Sequence, residues 1–423
     1  MRLDEFMDGV EIDEAADRRR LAEEKSYAIT EYLESVETGV AETVRGGALV
    51  GATAPSIFVG RSNYPTVQTG VLAPVAGDFS PDAYATSGAW YEETLSIEDV
   101  VARRTGLLNS TTTAAVDLSD GDAAFLDAHR EVAIADRPVD VEIGLESSPR
   151  LDLSQPLDES GMRAPTGPRV SARSAILTEN PHVPRAVEKT LADDDWHAEG
   201  AITYLYRRGF DVYEITRILS AGAMGRRERR RLVPTRWSIT AVDDTVGQYL
   251  RGRLRTAASV DAVELWRERY MGNTYWVVLA PGDWEFELVE LKAPGSIWNP
   301  TTEGPHWVGA DHEGYTGRDS YVEETSGAFY AARLGVLEEL ERRDRQAKAL
   351  VIRAVTDDYW APVGVWQIRE SVRNAFDGEP GIAESFHAAI AGLAPHLPVA
   401  VDRLRRHSEM VAGVQSSLGR FGG

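Results

Sequence analysis

The chain has 423 residues, with 45 lysines and arginines against 67 aspartates and glutamates, a formal charge of −22 at pH 7, and no cysteine. Disulfides, thiolate metal sites and cysteine nucleophiles are thereby excluded. Hydrophobic residues make up 43% of the chain, enough for a sizeable core, and no apolar run approaches the roughly 18 residues of a membrane span. Only Lys25, Lys189, Lys292 and Lys348 are lysine, so 45 − 4 = 41 basic residues are arginine. An acidic, lysine-poor composition suits molar salt, where a Debye length of about 3 Å screens self-repulsion. Against that background the net charge excludes no partner, nucleic acid included, and local departures from it carry the information. The N-terminus lacks an apolar signal core, so the expectation is a cytoplasmic protein without membrane contact.

In chain order, residues 11–44 predict one long amphipathic helix, with Leu21, Ile29, Leu33 and Val36 at helical spacing and Gly46-Gly47 as its stop. Short strands follow at 56–60, 67–73 and 139–145, with a helix near 97–104. The proline-rich, aperiodic stretch 146–170 reads as a loop. Helices dominate 184–254, broken at Gly209 and around 222–225. Residues 275–280 and 284–291, joined by Pro281-Gly282-Asp283, predict a β-hairpin whose second strand alternates Trp284, Phe286 and Leu288 with Glu285 and Glu287. A Gly/Trp/His-rich loop to Asp319, a helix over 321–345, a strand over 349–355 and helices to about Arg406 complete the chain. Without a clean βαβ rhythm the fold class is mixed α+β, with an irregular α/β arrangement as the alternative.

Several features could carry function. At the C-terminus, Gln415, Leu418 and Phe421 have the spacing of a sliding-clamp (PCNA) interacting peptide: one helical turn sets Leu418 beside Phe421 as an apolar plug, and the Gln amide can fill a polar notch. Gly422 stands where a second aromatic is usual. The dense positive cluster Arg226, Arg227, Arg229, Arg230, Arg231, with Arg236 beyond it, fits contacts to DNA phosphates or pairing with the protein's own surplus carboxylates. Upstream, residues 197–208 and 212–220 form a helix-turn-helix-like pair with Asp211 as N-cap, whose second helix is too apolar for groove reading and is expected to pack.

Glu290-x-Lys292 at the end of the second hairpin strand puts both side chains on one face. The pair suits an Mg²⁺-dependent nuclease, or simply a salt bridge. Asp283 lies about 23 Å away at strand rise, so a nuclease would need Asp243 or Asp244 as a further acid. Mg²⁺ is implied only under that reading. The polar loops around Arg61 and Tyr64, and around His306, His312 and Arg318, suggest a small-molecule pocket as a further alternative. Two histidines six residues apart define no metal site. Walker-type, G-x-S-x-G and dinucleotide motifs do not occur.

Taken together, Val59-Gly-Arg-Ser-Asn-Tyr-Pro65, the segments SARSAILTENPHVP and RRLVPTRWSITAVDD within 167–244, the stretch NTYWVVLAPGDWEFELVELKAPGSIWNP and the segment beginning DHEGYTGRDSY resemble the archaeal Nre family, in its haloarchaeal NreA-type branch of DNA repair proteins. After the N-terminal helix (placed at 1–45 in the domain division), the resemblance implies a family N-terminal region (46–304), a family C-terminal region (305–408) and a flexible clamp-binding tail (409–423). It also implies a role in repair of DNA damage with the sliding clamp, DNA and nucleotide-excision repair proteins as partners. Relatives outside the halophiles carry a cysteine-rich zinc element for which this chain has no cysteine, and the resemblance supplies no catalytic mechanism.

Overall fold

The computed structural model describes residues 36, 39–40, 43–75, 79–118, 123–147, 165–299 and 304–413. Of the helix predicted over 11–44, only Val36, Gly39, Val40, Thr43 and Val44 are described: the first four are helical, Val36 and Val40 being buried, whereas Val44 already belongs to a strand, so the helix stops short of 44. Most of the 146–170 loop and the tail carrying Gln415, Leu418 and Phe421 also lie outside the described residues.

The first half builds a seven-stranded sheet from β1 (Val44–Arg45), β2 (Ala48–Ala52), β3 (Ile57–Val59), β4 (Thr66–Pro74), β5 (Leu107–Ala115), β6 (Asp140–Leu145) and β7 (Arg169–Leu177). Their order is β1-β2-β6-β7-β5-β4-β3, and all pairs are antiparallel except β5 with β7. Helices α1 (Ala89–Glu92) and α2 (Ile97–Thr105) connect β4 to β5. Helix α2 opens on a capping box between Ser96 and Asp99. Helix α3 (Ala123–Ile134) contributes Phe125, Ala128 and Val132 to the core of this sheet.

A helical layer follows: α4 (Arg185–Ala192), α5 (Ala198–Arg207), α6 (Val212–Ser220) and α7 (Thr235–Leu254). Asp211 caps α6, its side chain accepting from the N–H groups of Tyr213 and Glu214, while the Glu214 carboxylate accepts from the Asp211 N–H. The apolar faces of α5 and α6 pack inward, as their spacing predicts.

The second half contains β8 (Ala258–Ser259), β9 (Val263–Tyr270), β10 (Asn273–Ala280), β11 (Glu285–Lys292), β12 (Trp307–Glu313), α8 (Gly327–Arg343), β13 (Arg345–Gln346), β14 (Lys348–Val355), α9 (Trp366–Ala375), β15 (Gly381–Ala383), α10 (Phe386–Leu393), α11 (Val401–His407) and α12 (Glu409–Gly413). Six strands form one sheet in the order β12-β11-β14-β10-β9-β15, and β8 pairs with β13 apart from it. The chain is thus mixed α+β. Among the described residues no helix is long and apolar enough to cross a membrane.

The hairpin predicted from residues 275–280 and 284–291 does not form. Strands β10 and β11 share a sheet but do not touch: β14 lies between them, antiparallel to β10 and parallel to β11. The hairpin that forms is β9–β10, turned by Met271 and Gly272, both at positive φ, as a type I′ turn requires. The physical reason is that helices cover both faces of this sheet. Tyr275, Val277, Phe286, Leu288 and Val351 pack toward α7 and α8, while Trp276, Val278, Val289, Leu291 and Ile352 pack toward α10, α11 and α12. A strand covered on both faces is buried almost end to end, so Glu287 is buried rather than facing water. A second correction is β12, an edge strand inside the segment predicted as loop.

Candidate nucleic-acid interface

The residues between α6 and α7 form a strap that joins the helical layer to the first sheet. Gly222 turns the chain at φ +69, and a Cβ there would stand 2.7 Å from the Arg231 carbonyl, so glycine lets the strap fold back on the helix end. At the strap's far end the Leu232 N–H donates to Val116 O (2.7 Å) and Leu232 is buried against the first sheet. The Val59 N–H donates to Thr235 Oγ1 at 3.0 Å, which ties the end of β3 to the start of α7. That tie sets the two flanking aromatics together: Tyr64, just after β3, meets Trp237, in the first turn of α7, with ring centroids 5.2 Å apart. Both are exposed, at 47% and 44%.

The arginine cluster is divided by this strap. Arg230 is structural: it donates to the carbonyls of Gly225 (2.9 Å) and Leu191 (2.8 Å), the latter at the C-terminal end of α4. Arg226 reaches Asp195 O at 3.4 Å and Arg227 pairs with Asp194 at 3.5 Å. Arg229, Arg231 and Arg236 are exposed, and their side chains make no hydrogen bond or ion pair among the described residues. The cluster is a short 3-10 turn and extended strap rather than a helix.

Arg236 and Trp237 stand at the lip of a cleft of about 1550 Å³ between the first sheet, the helical layer and the ends of β11 and β14. Arg61, Arg169 and Arg318 also line it. On the floor, Glu290 and Arg353 are register partners across the parallel pair, with Arg353 Nη1 donating to Glu290 Oε1 at 2.5 Å. Lys292 Nζ lies 3.0 Å from Glu290 Oε2 and 3.9 Å from the Trp307 ring centroid. Burial pushes the Glu290 carboxyl up, but Lys292 and Arg353 outweigh it and hold the group below its ordinary value. Arg104, from α2, reaches the same floor over the Trp90 ring at 5.7 Å. Burial pulls its guanidinium down to about 10, opposed only by the Tyr359 hydroxyl, so it stays a cation at neutral pH.

The other predicted residues are placed apart. Asp243 is buried and holds Arg369 with both oxygens (2.7 and 2.6 Å), and Asp244 holds Arg333 at 2.6 Å. Glu313 completes the second pair at 2.5 Å from Arg333. Neither aspartate is among the partners of Glu290. Of the loop residues, Arg61 and Arg318 line the cleft and Tyr64 sits beside Trp237, whereas His306 and His312 are not part of its lining. His312 lies on β12, 3.0 Å from Glu285 and 3.3 Å from Glu409. The backbone carbonyl of His306 accepts from Arg403. Among the described residues no cluster of three His, Asp or Glu could hold a metal ion.

Sequence reasoning missed Trp237, Arg104, Arg169 and Arg353. Only Trp237 left a local signal. It stands off the buried stripe Ser238, Val242, Val246 and Leu250 of α7, beside an arginine, and a large aromatic outside an apolar stripe is an exposed one.

Two halves and an arginine-lined cleft with an aromatic lip define a mixed α+β protein with a cationic recess among the described residues. The chain belongs to the archaeal Nre family: residues 21–299 match the model described as Archaeal Nre, N-terminal, and residues 313–421 that described as Archaeal Nre, C-terminal. It is similar to the DNA repair protein NreA of Haloferax volcanii, with 61% identity over 422 residues that span 100% of both chains. The DNA repair protein NreA of Archaeoglobus fulgidus is 38% identical over 79% of this chain and 82% of its own. The DNA repair protein NreB of the same organism is 32% identical over 88% of this chain and 92% of its own. No solved structure matches the chain.

Proposed function

We propose that this chain is a cytoplasmic DNA repair factor that takes a DNA strand along the lip of the cleft, and that Gln415, Leu418 and Phe421 recruit it to the sliding clamp (PCNA). The observation that carries the DNA-binding part is the exposed Tyr64–Trp237 pair flanked by Arg236. Aromatic faces accept any base by stacking and neighbouring arginines track the phosphates, a combination suited to single-stranded DNA. The strap arginines Arg229 and Arg231 extend the cationic contact in a chain whose overall charge would otherwise repel DNA. Full-length relatives named as DNA repair proteins support the repair role. Tethering by the tail raises the effective concentration of the cleft at the clamp's DNA, so the cleft itself needs no high affinity.

No observation favours Mg²⁺-dependent cleavage. Glu290 engages Lys292 and Arg353 with its two oxygens, and Asp243 and Asp244 each compensate a buried arginine. A pull-down with the clamp and a fluorescence titration with single-stranded DNA, both at molar KCl, test the proposal. Phe421→Ala should abolish clamp capture and leave DNA binding unchanged. Trp237→Ala should do the reverse, weakening DNA binding by about 1–3 kcal/mol. Unaltered DNA affinity in Trp237→Ala would remove the cleft from the reading; unaltered capture in Phe421→Ala would remove the tail.

A further inference from the structure

The floor of the cleft holds a feature that strand stacking at the lip does not use. The Arg104 side chain makes no hydrogen bond or ion pair with any described residue, although its guanidinium is held over Trp90 and beside Gly364, where a Cβ would come 3.5 Å from Nη2. Tyr359 stands next to it. Its hydroxyl oxygen accepts from the Val363 N–H (3.2 Å), and its own proton is donated to no described residue. Beyond Tyr359 lies Arg353, whose guanidinium carbon is 5.7 Å from the tyrosine ring and whose Nη2 is likewise unengaged. Lys292 is the third cation. Arg104, Arg353 and Lys292 line the cleft with one carboxylate, Glu290, which Lys292 and Arg353 engage, so these four groups sum to +2 in a protein of net −22.

Desolvated charge is stable only when paired. A ligand suited to these groups is an anion of about two charges that accepts several hydrogen bonds at once, because two guanidinium groups and a phenolic O–H line the same stretch of the cleft, Arg353 and Tyr359 within 5.7 Å. A phosphate monoester carries about −1.5 to −2 at pH 7 and offers three acceptor oxygens; a backbone phosphodiester carries a single charge. We infer that Arg104, Tyr359 and Arg353 form a binding site for a phosphate monoester, and that its source is the terminal phosphate of a DNA strand lying along Trp237. The source rests on the DNA-binding reading above, and the phosphate site itself does not. A strand end can reach the floor of a recess that a continuing backbone would only cross.

The test compares internally labelled single strands ending in phosphate or hydroxyl, titrated into the full-length chain at molar KCl. Phosphate-ended strands should bind about tenfold more tightly, a typical gain for a charge-assisted bidentate contact. Arg104→Ala should erase that preference and leave hydroxyl-ended strands within about twofold of wild type. Tyr359→Phe, which removes only the hydroxyl, should reduce the preference if Arg104→Ala does not fold. Trp237→Ala should weaken both kinds of strand equally, which separates failure of the DNA reading from failure of the phosphate site. Equal affinity for both ends in the wild type, or an undiminished preference in Arg104→Ala, overturns the assignment. If inorganic phosphate raises the melting temperature of the wild type but not of Arg104→Ala while strands show no end preference, the site takes free phosphate and the strand-end assignment is overturned.

Discussion

Arg230 and its neighbours show how little a residue's type says about its role. Arg230 gives its donors to backbone carbonyls at the end of α4 and to Gly225, whereas Arg229 and Arg231 face solvent. Arg230→Ala should therefore cost about 1–2 kcal/mol of stability through orphaned carbonyls and a lost charge-assisted bond. Arg229→Ala and Arg231→Ala should stay within about 0.5 kcal/mol and weaken DNA binding instead. Denaturant unfolding beside a DNA titration reads both, and an Arg230→Ala variant of unchanged stability contradicts the capping role. The clustering was legible in the sequence, but its division was not, since it depends on where a non-helical strap meets a helix end distant in the chain. Glu290 and Lys292 share a face because two residues on a strand do so. Arg353 joins them only through a strand pairing that no local pattern announces.

The Glu285–His312 pair makes a pH-dependent statement. The bond to Glu285 raises the His312 imidazole above its ordinary 6.5, against burial and with help from Glu409. The bond from His312, opposed by burial and reinforced by Lys348, lowers Glu285 to about 2. The His312 contribution is complete below pH 6.5 and is lost as pH rises through the raised value; that of Glu285 is complete above its ordinary 4.5 and is lost as pH falls toward 2. The stability difference between wild type and His312→Gln should then be largest between about pH 4.5 and 6.5 and shrink above neutrality. Unfolding curves across that range check it, and a difference that grows with pH would contradict the pairing.

At the scale of elements, β11 carries the main lesson. Its Trp284, Phe286, Leu288 rhythm identified a strand correctly, but the intervening glutamates suggested a wet face. Helices on both sides make that face dry, and each glutamate there is given a partner instead. Glu287 accepts from Ser408 Oγ (2.6 Å) and from the N–H groups of Glu409 (2.7 Å) and Met410 (3.0 Å), and so caps α12. Glu287→Ala should speed amide hydrogen exchange at Glu409 and Met410 by an order of magnitude or more, as expected for about 1–2 kcal/mol of lost capping, with β10 and β14 still protected. Uniform deprotection of the whole sheet would show that Glu287 supports the strand rather than the helix. The type I′ turn at Met271-Gly272 and the edge strand β12 escaped prediction for related reasons. Methionine is not a usual first residue of such a turn, and Gly309, Ala310 and Asp311 lower the strand propensity of β12.

The whole molecule is governed by its surplus of carboxylates. With a formal charge of −22, transfer from molar to about 0.1 M KCl lengthens the Debye screening distance from about 3 to about 10 Å, and like charges on the surface begin to repel. The melting temperature should fall steadily over that range, measurable by circular dichroism; a flat response would mean that the acidic surface is already neutralised by internal pairing. The cleft floor, with its opposite sign, should instead hold anions more weakly as salt rises. Composition made the acidic surface legible from the start. The cationic recess within it was not, because its members come from α2, β11, β14 and the segment after β14, and only the fold assembles them.

The cap on α12 also fixes where the chain's last ten residues depart. Glu287 points from the face of the second sheet that α10, α11 and α12 cover, while Glu290 and Lys292 point from the other, into the recess. If the tail binds the clamp as proposed, the segment that carries Phe421 follows directly on a helix lying on the face of the sheet turned away from the recess. On the reading proposed above, clamp and DNA would then engage the protein from the two faces of one sheet.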